Sequence, residues 1–170
     1  MKIDPDLPVM AEMVLERFRA EDGKITSAES CTGGLIMALL TSIAGSSDVV
    51  ERGFVTYSNE AKHELIGVSE ETLENEGAVS IEVAAQMAQG ALQRSNATAS
   101  VAVTGIAGPG GGSEDKPVGL VFIAVASKFE EGAFAEEFRF GDLSRDEIRN
   151  ETVKMAFEML LAYGLQAEEQ

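Results

Sequence analysis

The stretch KITSAESCTGGLIMALLTSIA, residues 24–44, predicts a strand that turns directly into a helix. Residues 24–28 are a short strand candidate, and residues 29–34 form a turn that ends in two glycines. Residues 35–44 are apolar almost all round, which is typical of a buried helix. We therefore expect this unit to belong to a fold in which helices cover a sheet.

Strand and helix candidates alternate along the rest of the chain. Further strands are predicted at residues 53–58, 99–104, 118–127 and 133–140, the last two as a hairpin. The predicted helices begin at capping side chains, namely Asp6, Asn59, Ser69, Ser80 and Ser144, the last in a capping box with Glu147. This order predicts an α/β fold, a three-layer α/β/α sandwich with a mixed, mostly parallel sheet, formed by a single domain over residues 1–170.

The charge balance narrows the classes of function. Lys and Arg number 13 against 29 Asp and Glu, which gives a formal net charge of −16. A surface this acidic repels phosphate backbones and anionic lipids, so neither nucleic-acid binding nor membrane binding is expected. The N-terminus lacks the apolar run of a signal peptide, and Cys31, the single cysteine, has no disulfide partner within the chain. These features predict a cytoplasmic protein.

The turn after the first strand carries two candidate nucleophiles, Ser30 and Cys31. Backbone N–H groups at the start of the following helix form a candidate anion or oxyanion site. A plain helix cap, with a hydroxyl for capping and two glycines for the bend, explains the same residues equally well. Cys31 is interpreted as structural, because a cysteine nucleophile usually needs a histidine base. His63, the single histidine, lies beside Lys62, so only one of the two can face this turn.

A tyrosine and a lysine follow the second strand. Tyr57 lies at the end of that strand, and Lys62 lies on the first turn of the next helix. Lys62 can act as a general base if burial lowers its pKa, and serine–lysine pairs are a known variant of the catalytic triad. The alternatives are a solvated surface lysine and a tyrosine packed in the core.

The glycine loop, defined here as residues 104–113 with the sequence TGIAGPGGGS, follows the third strand. Its glycines let backbone N–H groups converge on an anion, although it matches neither a Walker loop nor a dinucleotide-binding fingerprint. Because this loop and the turn after residue 28 both follow strands, we expect one shared site at the carboxyl ends of the strands. Arg145 and Arg149 can reach a phosphate there or form ion pairs with neighbouring acids. No residues have metal-ligand spacing, so neither a metal nor a cofactor is expected.

Several longer strings resemble the CinA C-terminal domain family. They are AESCTGG at 28–34, AGSS at 44–47, GFVTYSNEAK at 53–62, GAVS at 77–80, TGIAGPGG at 104–111 and KPVG at 116–119. The resemblance runs from about residue 8 to residue 163. One departure lies near the end, where the family's Gly-Asp-Arg is replaced by GDLSR at 141–145, with two extra residues before the arginine.

The resemblance implies a nicotinamide-nucleotide amidohydrolase, which hydrolyses nicotinamide mononucleotide to nicotinate mononucleotide and ammonia in pyridine-nucleotide salvage. It also implies the three-layer fold derived above. The family's serine–lysine pair falls on Ser30 and Lys62. The alternative is a catalytically silent nucleotide-binding or sensing module, which would keep the glycine loop and need no such pair.

On the amidohydrolase hypothesis, Ser30 attacks the carboxamide carbon and Lys62 takes the hydroxyl proton. Tyr57, with Ser46 or Ser47, is expected to hold the lysine or the substrate. The expected oxyanion donors are the backbone N–H groups of Cys31, Thr32 and Gly33. The residues expected to bind the substrate's phosphate are Thr104, Gly105, Gly108, Gly110, Gly111 and Arg145. The apolar first helix and the phenylalanine-rich hairpin favour a homodimer.

Overall fold

All five predicted strands form and pair into one sheet. The computed structural model describes residues 2–163. Its strands are β1 (Ile25–Glu29), β2 (Val50–Val55), β3 (Ala99–Gly105), β4 (Leu120–Ser127) and β5 (Phe134–Arg139). The second strand begins three residues earlier than predicted and ends at Val55, so residues 56–58 leave the sheet and lead into the next helix.

The strands are ordered β2-β1-β3-β4-β5 across the sheet. β1 pairs in parallel with both β2 and β3, whereas β4 is antiparallel to both β3 and β5. Four strands therefore point one way and β4 points the other, which confirms a mixed, mostly parallel sheet. The carboxyl ends of β1, β2 and β3 meet at one side of the sheet, called the carboxyl edge below.

The helices lie close to their predicted positions. They are α1 (Leu7–Ala20), α2 (Leu35–Thr41), α3 (Asn59–Ile66), α4 (Glu70–Glu76), α5 (Ile81–Gln93) and α6 (Arg145–Ala162), with a short 3₁₀ turn at Ser46–Asp48. α2 ends three residues early, because the hydroxyls of Thr41 and Ser42 bond back to the carbonyls of the preceding turn.

Three of the predicted caps are confirmed and two are wrong. Ser69, Ser80 and the Ser144 capping box accept the expected N–H groups. Asp6 has helical backbone angles and no capping bond, and the Asp4 carboxylate instead accepts the N–H of Asp6. Asn59 already belongs to α3, and Ser58 caps that helix by accepting the N–H of Ala61 at 3.0 Å.

Two hydrophobic clusters cover the two faces of the sheet. One joins α1, α2 and α6 to the apolar side chains of β3 and β4, with Phe18 and Phe157 among its fully buried members. The other joins α3, α4 and α5 to the opposite face. This arrangement is the expected three-layer sandwich. Among the described residues, no helix combines the length and the apolar character needed to cross a membrane.

Candidate active site

The carboxyl edge brings together residues that are far apart in the sequence. Ser30 follows β1, Lys62 follows β2, and the glycine loop follows β3. Because these strands are parallel and adjacent, the segments after them open onto one cavity of about 290 Å³. Its lining residues are Ser30, Cys31, Tyr57, Lys62, Ala78, Val79, Arg145 and most of residues 104–111. The shared site predicted from the order of strands is therefore present.

Ser30 and Lys62 are in direct contact at the base of this cavity. Lys62 Nζ donates a hydrogen bond to Ser30 Oγ at 3.1 Å and another to the carbonyl of Thr56 at 2.9 Å. The lysine is only 1% exposed, and burial lowers the pKa of its ammonium below the ordinary value of 10.5. The neighbouring His63 points away and bonds to the carbonyl of Val68 through Nδ1. A buried lysine whose pKa is lowered can take a proton from a serine hydroxyl.

Cys31 is buried and free, and burial raises the pKa of its thiol to about 12. At neutral pH such a cysteine is a thiol and not a thiolate. This agrees with the interpretation of Cys31 as a structural residue.

Glu29 directly precedes Ser30 and supports the site without lining its cavity, and the sequence analysis missed it. It is 1% exposed, and its Oε2 accepts from Thr32 Oγ1 at 2.7 Å, Gly34 N at 2.9 Å and Ile36 N at 3.1 Å. Its Oε1 accepts from Met37 N at 3.0 Å and from Ser27 Oγ at 3.3 Å. An acidic residue at the end of the otherwise apolar or small strand ITSAE was the available signal.

These bonds change the expected role of the helix start. The N–H groups of Gly34, Ile36 and Met37 at the N-terminus of α2 are occupied by Glu29 and are not free for a ligand. The N–H of Gly33 donates to the carbonyl of Ser30 at 3.0 Å, so it is also engaged. The Thr32 side chain faces Glu29 and lies outside the cavity lining.

The glycine loop forms one wall of the cavity. Gly105, Gly108, Gly110 and Gly111 all contribute to the lining. Thr104 also contributes, and its hydroxyl donates to the carbonyl of Ala78 at 2.7 Å, which ties the loop to the turn before α5. Among residues 2–163, no group of three or more His, Cys, Asp or Glu side chains is arranged to hold a metal.

Arg145 lies at the mouth of the cavity despite the two extra residues before it. Its Nη1 donates to the carbonyl of Gly108 at 2.6 Å, and its Nη2 donates to the hydroxyl of Tyr57 at 3.3 Å. Tyr57 is 63% exposed, so the alternative of a core tyrosine is wrong. Arg149 does not reach the cavity and instead donates to the carbonyl of Thr32 at 2.6 Å.

The structure does not bring Ser46 and Ser47 to Lys62. Both residues precede β2, whereas Ser30 follows β1. In parallel strands these positions lie toward opposite ends of the sheet. Ser46 and Ser47 line a different cavity, of about 420 Å³, beside the edge strand β2.

Proteins of known structure share this architecture. A competence/damage inducible protein, CihA from Agrobacterium tumefaciens, superposes with a TM-score of 0.91 at 52% identity, covering 95% of this chain and 98% of that one. A CinA superfamily protein from Escherichia coli superposes with a TM-score of 0.86 at 31% identity, covering 95% and 93%.

Curated relatives fall into two lengths. The nicotinamide-nucleotide amidohydrolase PncC of Escherichia coli K12 is 48% identical over 96% of this chain and 98% of its own length. A competence-damage inducible protein of Caldicellulosiruptor saccharolyticus is 53% identical over 91% of this chain, which spans only 37% of that longer relative. The family model described as the CinA C-terminal domain matches residues 8–163, nearly everything that the structure describes. The chain therefore belongs to the CinA C-terminal domain family.

Proposed function

We propose that this chain hydrolyses the carboxamide of nicotinamide mononucleotide to give nicotinate mononucleotide and ammonia. The observation that carries the proposal is the 3.1 Å contact between Ser30 Oγ and the buried Lys62 Nζ. The full-length similarity to an amidohydrolase named for nicotinamide nucleotides supports the choice of substrate. A nucleotide-binding module without catalysis would have no need to bury a lysine against a serine, since burial disfavours the charged form.

In the proposed reaction, neutral Lys62 takes the proton of Ser30 Oγ while Oγ bonds to the carboxamide carbon. The tetrahedral intermediate collapses as its C–N bond breaks, and Lys62 returns the proton to the departing nitrogen, which leaves as ammonia. A water molecule then attacks the resulting ester, with Lys62 again accepting a proton. As the ester bond breaks, Lys62 returns its proton to Ser30 Oγ, which restores the serine and the neutral lysine. The acid product leaves as a carboxylate and releases its proton to solvent.

The oxyanion role is proposed for the backbone N–H group of Cys31, because Thr32 does not line the cavity. Gly33 is dropped from this role, because its N–H is already bonded to the Ser30 carbonyl. A preorganised donor of this kind lowers the barrier by about 3 kcal/mol. The neutral Cys31 thiol adds no charge that would oppose the developing oxyanion.

The phosphate is proposed to bind at the outer part of the cavity. The glycine loop and Arg145 both line the cavity, and the Arg145 guanidinium bonds to the carbonyl of Gly108 in that loop. The arginine and the polar backbone offset locally the repulsion that a chain of net charge −16 exerts on an anion. Tyr57, hydrogen-bonded to Arg145, is proposed to contact the substrate and not the lysine.

We further propose that the enzyme acts in the cytoplasm as a homodimer. Phe134 and Phe138 line an apolar cavity of about 570 Å³ between β5 and the end of α6, and Phe134 is 48% exposed. Light scattering coupled to size exclusion tests the dimer, and a monomer at micromolar concentration would contradict it.

The test of function is ammonia release together with nicotinate mononucleotide formation by metal-stripped protein. The Ser30→Ala variant is expected to lose at least three decades of turnover and to keep substrate affinity within a few-fold. Ser47→Ala is the matched control, because Ser47 lines the other cavity and should retain the full rate. Full activity of Ser30→Ala would show that Ser30 is not the nucleophile. Binding of nicotinamide mononucleotide by the unmodified chain without any product would favour a nucleotide-sensing module.

A further inference from the structure

The turn that carries Ser30 lacks an ordinary helix cap. The cap position of α2 is Gly34, which has a φ of 97° and no side chain, and Gly33 before it has a φ of 60°. Positive φ angles at two successive residues favour glycine, so a serine or aspartate cap does not suit this position. The Glu29 carboxylate reaches over from β1 and satisfies the helix N–H groups instead.

Glu29 also joins the two partners of the catalytic pair through its backbone. The carbonyl of Glu29 accepts the N–H of Thr56 at 2.9 Å, and the carbonyl of Thr56 accepts from Lys62 Nζ at 2.9 Å. The next residue, Ser30, donates its N–H to the carbonyl of Val103 at 3.0 Å. The Glu29–Ser30 segment is therefore fixed to β2, β3 and α2 at once.

We propose that Glu29 is a positioning residue, whose buried carboxylate fixes the start of α2 and so holds Ser30 Oγ within hydrogen-bonding distance of Lys62 Nζ. The inference rests on the proposed function. It assigns Glu29 no contact with the substrate.

The donor set explains why a carboxylate is required. Every partner of the carboxylate is an N–H or O–H group, and at least one backbone N–H faces each oxygen. A glutamine of the same shape must turn its NH₂ group toward either Met37 N–H or the N–H groups of Gly34 and Ile36. Donor would then face donor, and the start of α2 would have to shift. A displacement of about 1 Å at a catalytic group costs on the order of 100-fold in rate.

The experiment compares Glu29→Gln with Ser69→Ala, which removes the cap of α4, a helix that contributes no residue to the cavity lining. Two rates are measured at a temperature below the unfolding midpoints of both variants. They are the rate of ammonia release from nicotinamide mononucleotide and the rate of phosphonylation of Ser30 by a fluorophosphonate probe. We expect Glu29→Gln to lower kcat and the phosphonylation rate by about 10- to 100-fold, with KM within about threefold. Ser69→Ala should lower the unfolding midpoint and leave both rates unchanged.

Full kcat and full phosphonylation in folded Glu29→Gln, with only a lower midpoint, would overturn the proposal. If the unmodified chain is phosphonylated at Ser30 and releases no ammonia, the proposed function fails while the labelling comparison still tests Glu29. If Glu29→Gln does not fold, Thr32→Val removes one donor from the carboxylate without adding another. That variant should slow phosphonylation at least threefold, and an unchanged rate would also overturn the proposal.

Discussion

The side chain of Lys62 is buried between Ser30 and the carbonyl of Thr56, and burial lowers the pKa of its ammonium. Between its folded-state pKa and the ordinary value of 10.5, Lys62 is mostly neutral in the folded chain and mostly protonated in the unfolded chain. The free energy of unfolding therefore rises with pH across this window. Below this window the buried charge destabilises the fold. Lys62 therefore reduces stability at neutral pH and in exchange provides a usable base.

We predict that Lys62→Met is more stable than the unmodified chain at neutral pH and loses two to four decades in kcat. The gain in the free energy of unfolding should shrink as pH rises toward 10.5, because the lysine then becomes neutral in the unfolded chain too. Urea denaturation at several pH values measures this difference. A gain that grows with pH would contradict it, and a change in KM alone would make Lys62 a binding residue.

Cys31 lies beside the nucleophile yet is expected to be inert. Since burial raises the pKa of its thiol to about 12, iodoacetamide at neutral pH should label the native chain far more slowly than the urea-unfolded chain. Intact-mass spectrometry over time gives both rates. Comparable labelling of the two states would show that the thiol is accessible and ionised.

Only some of these single-residue roles could be predicted from the sequence. Spacing alone offered a serine–lysine hydrolase as one possibility and left a surface lysine as the alternative for Lys62. The family resemblance then placed the pair on Ser30 and Lys62. Glu29 was missed because a glutamate is usually solvated, and its burial depends on helix N–H groups that the sequence does not display. Ser46 and Ser47 were misplaced because only the parallel pairing of β1 and β2 shows which end of the sheet each residue occupies.

At the scale of elements, α5 packs against α3 with no room for a side chain at Gly90. A Cβ there would lie 1.8 Å from the carbonyl oxygen of Ile66, the last residue of α3. We predict that Gly90→Ala lowers the free energy of unfolding by about 1–3 kcal/mol, although alanine is the better helix former. Gly110→Ala is the control for stability, since a Cβ added there would meet nothing within 4 Å. Urea denaturation that shows a stabilised Gly90→Ala would refute the close approach.

The elements themselves were largely predictable, because their periodicity and caps are local. Ser69, Ser80 and Ser144 mark three helix starts correctly. At Asn59 the error arose because the preceding Ser58 accepts the N–H of Ala61. At Asp6 the backbone is already helical, and the N–H of Asp6 itself bonds to the Asp4 carboxylate. The close approach of α5 to α3, which leaves room only for a glycine, depends on tertiary packing. No local pattern around Gly90 indicates it.

For the whole molecule, the net charge of −16 causes self-repulsion. This repulsion destabilises the compact folded state more than the expanded unfolded chain. Raising NaCl from about 10 mM to about 300 mM shortens the Debye length from about 30 Å to below 10 Å and should raise Tm. Choline chloride at equal ionic strength should raise Tm equally if screening is the cause. A lower Tm in both salts would mean that attractive ion pairs outweigh the repulsion.

The parallel pairing of β1 with β3 has a kinetic consequence. Ile25 pairs with Ala99 and Ser30 is fixed by Val103, so the loop that must close spans more than seventy residues. Closing such a loop costs entropy before its contacts repay it, and contacts between distant residues slow folding. The helices can form early from local contacts, whereas the nucleophile takes its final position only when this long loop closes. A refolding chain therefore regains its helices before it regains a working site.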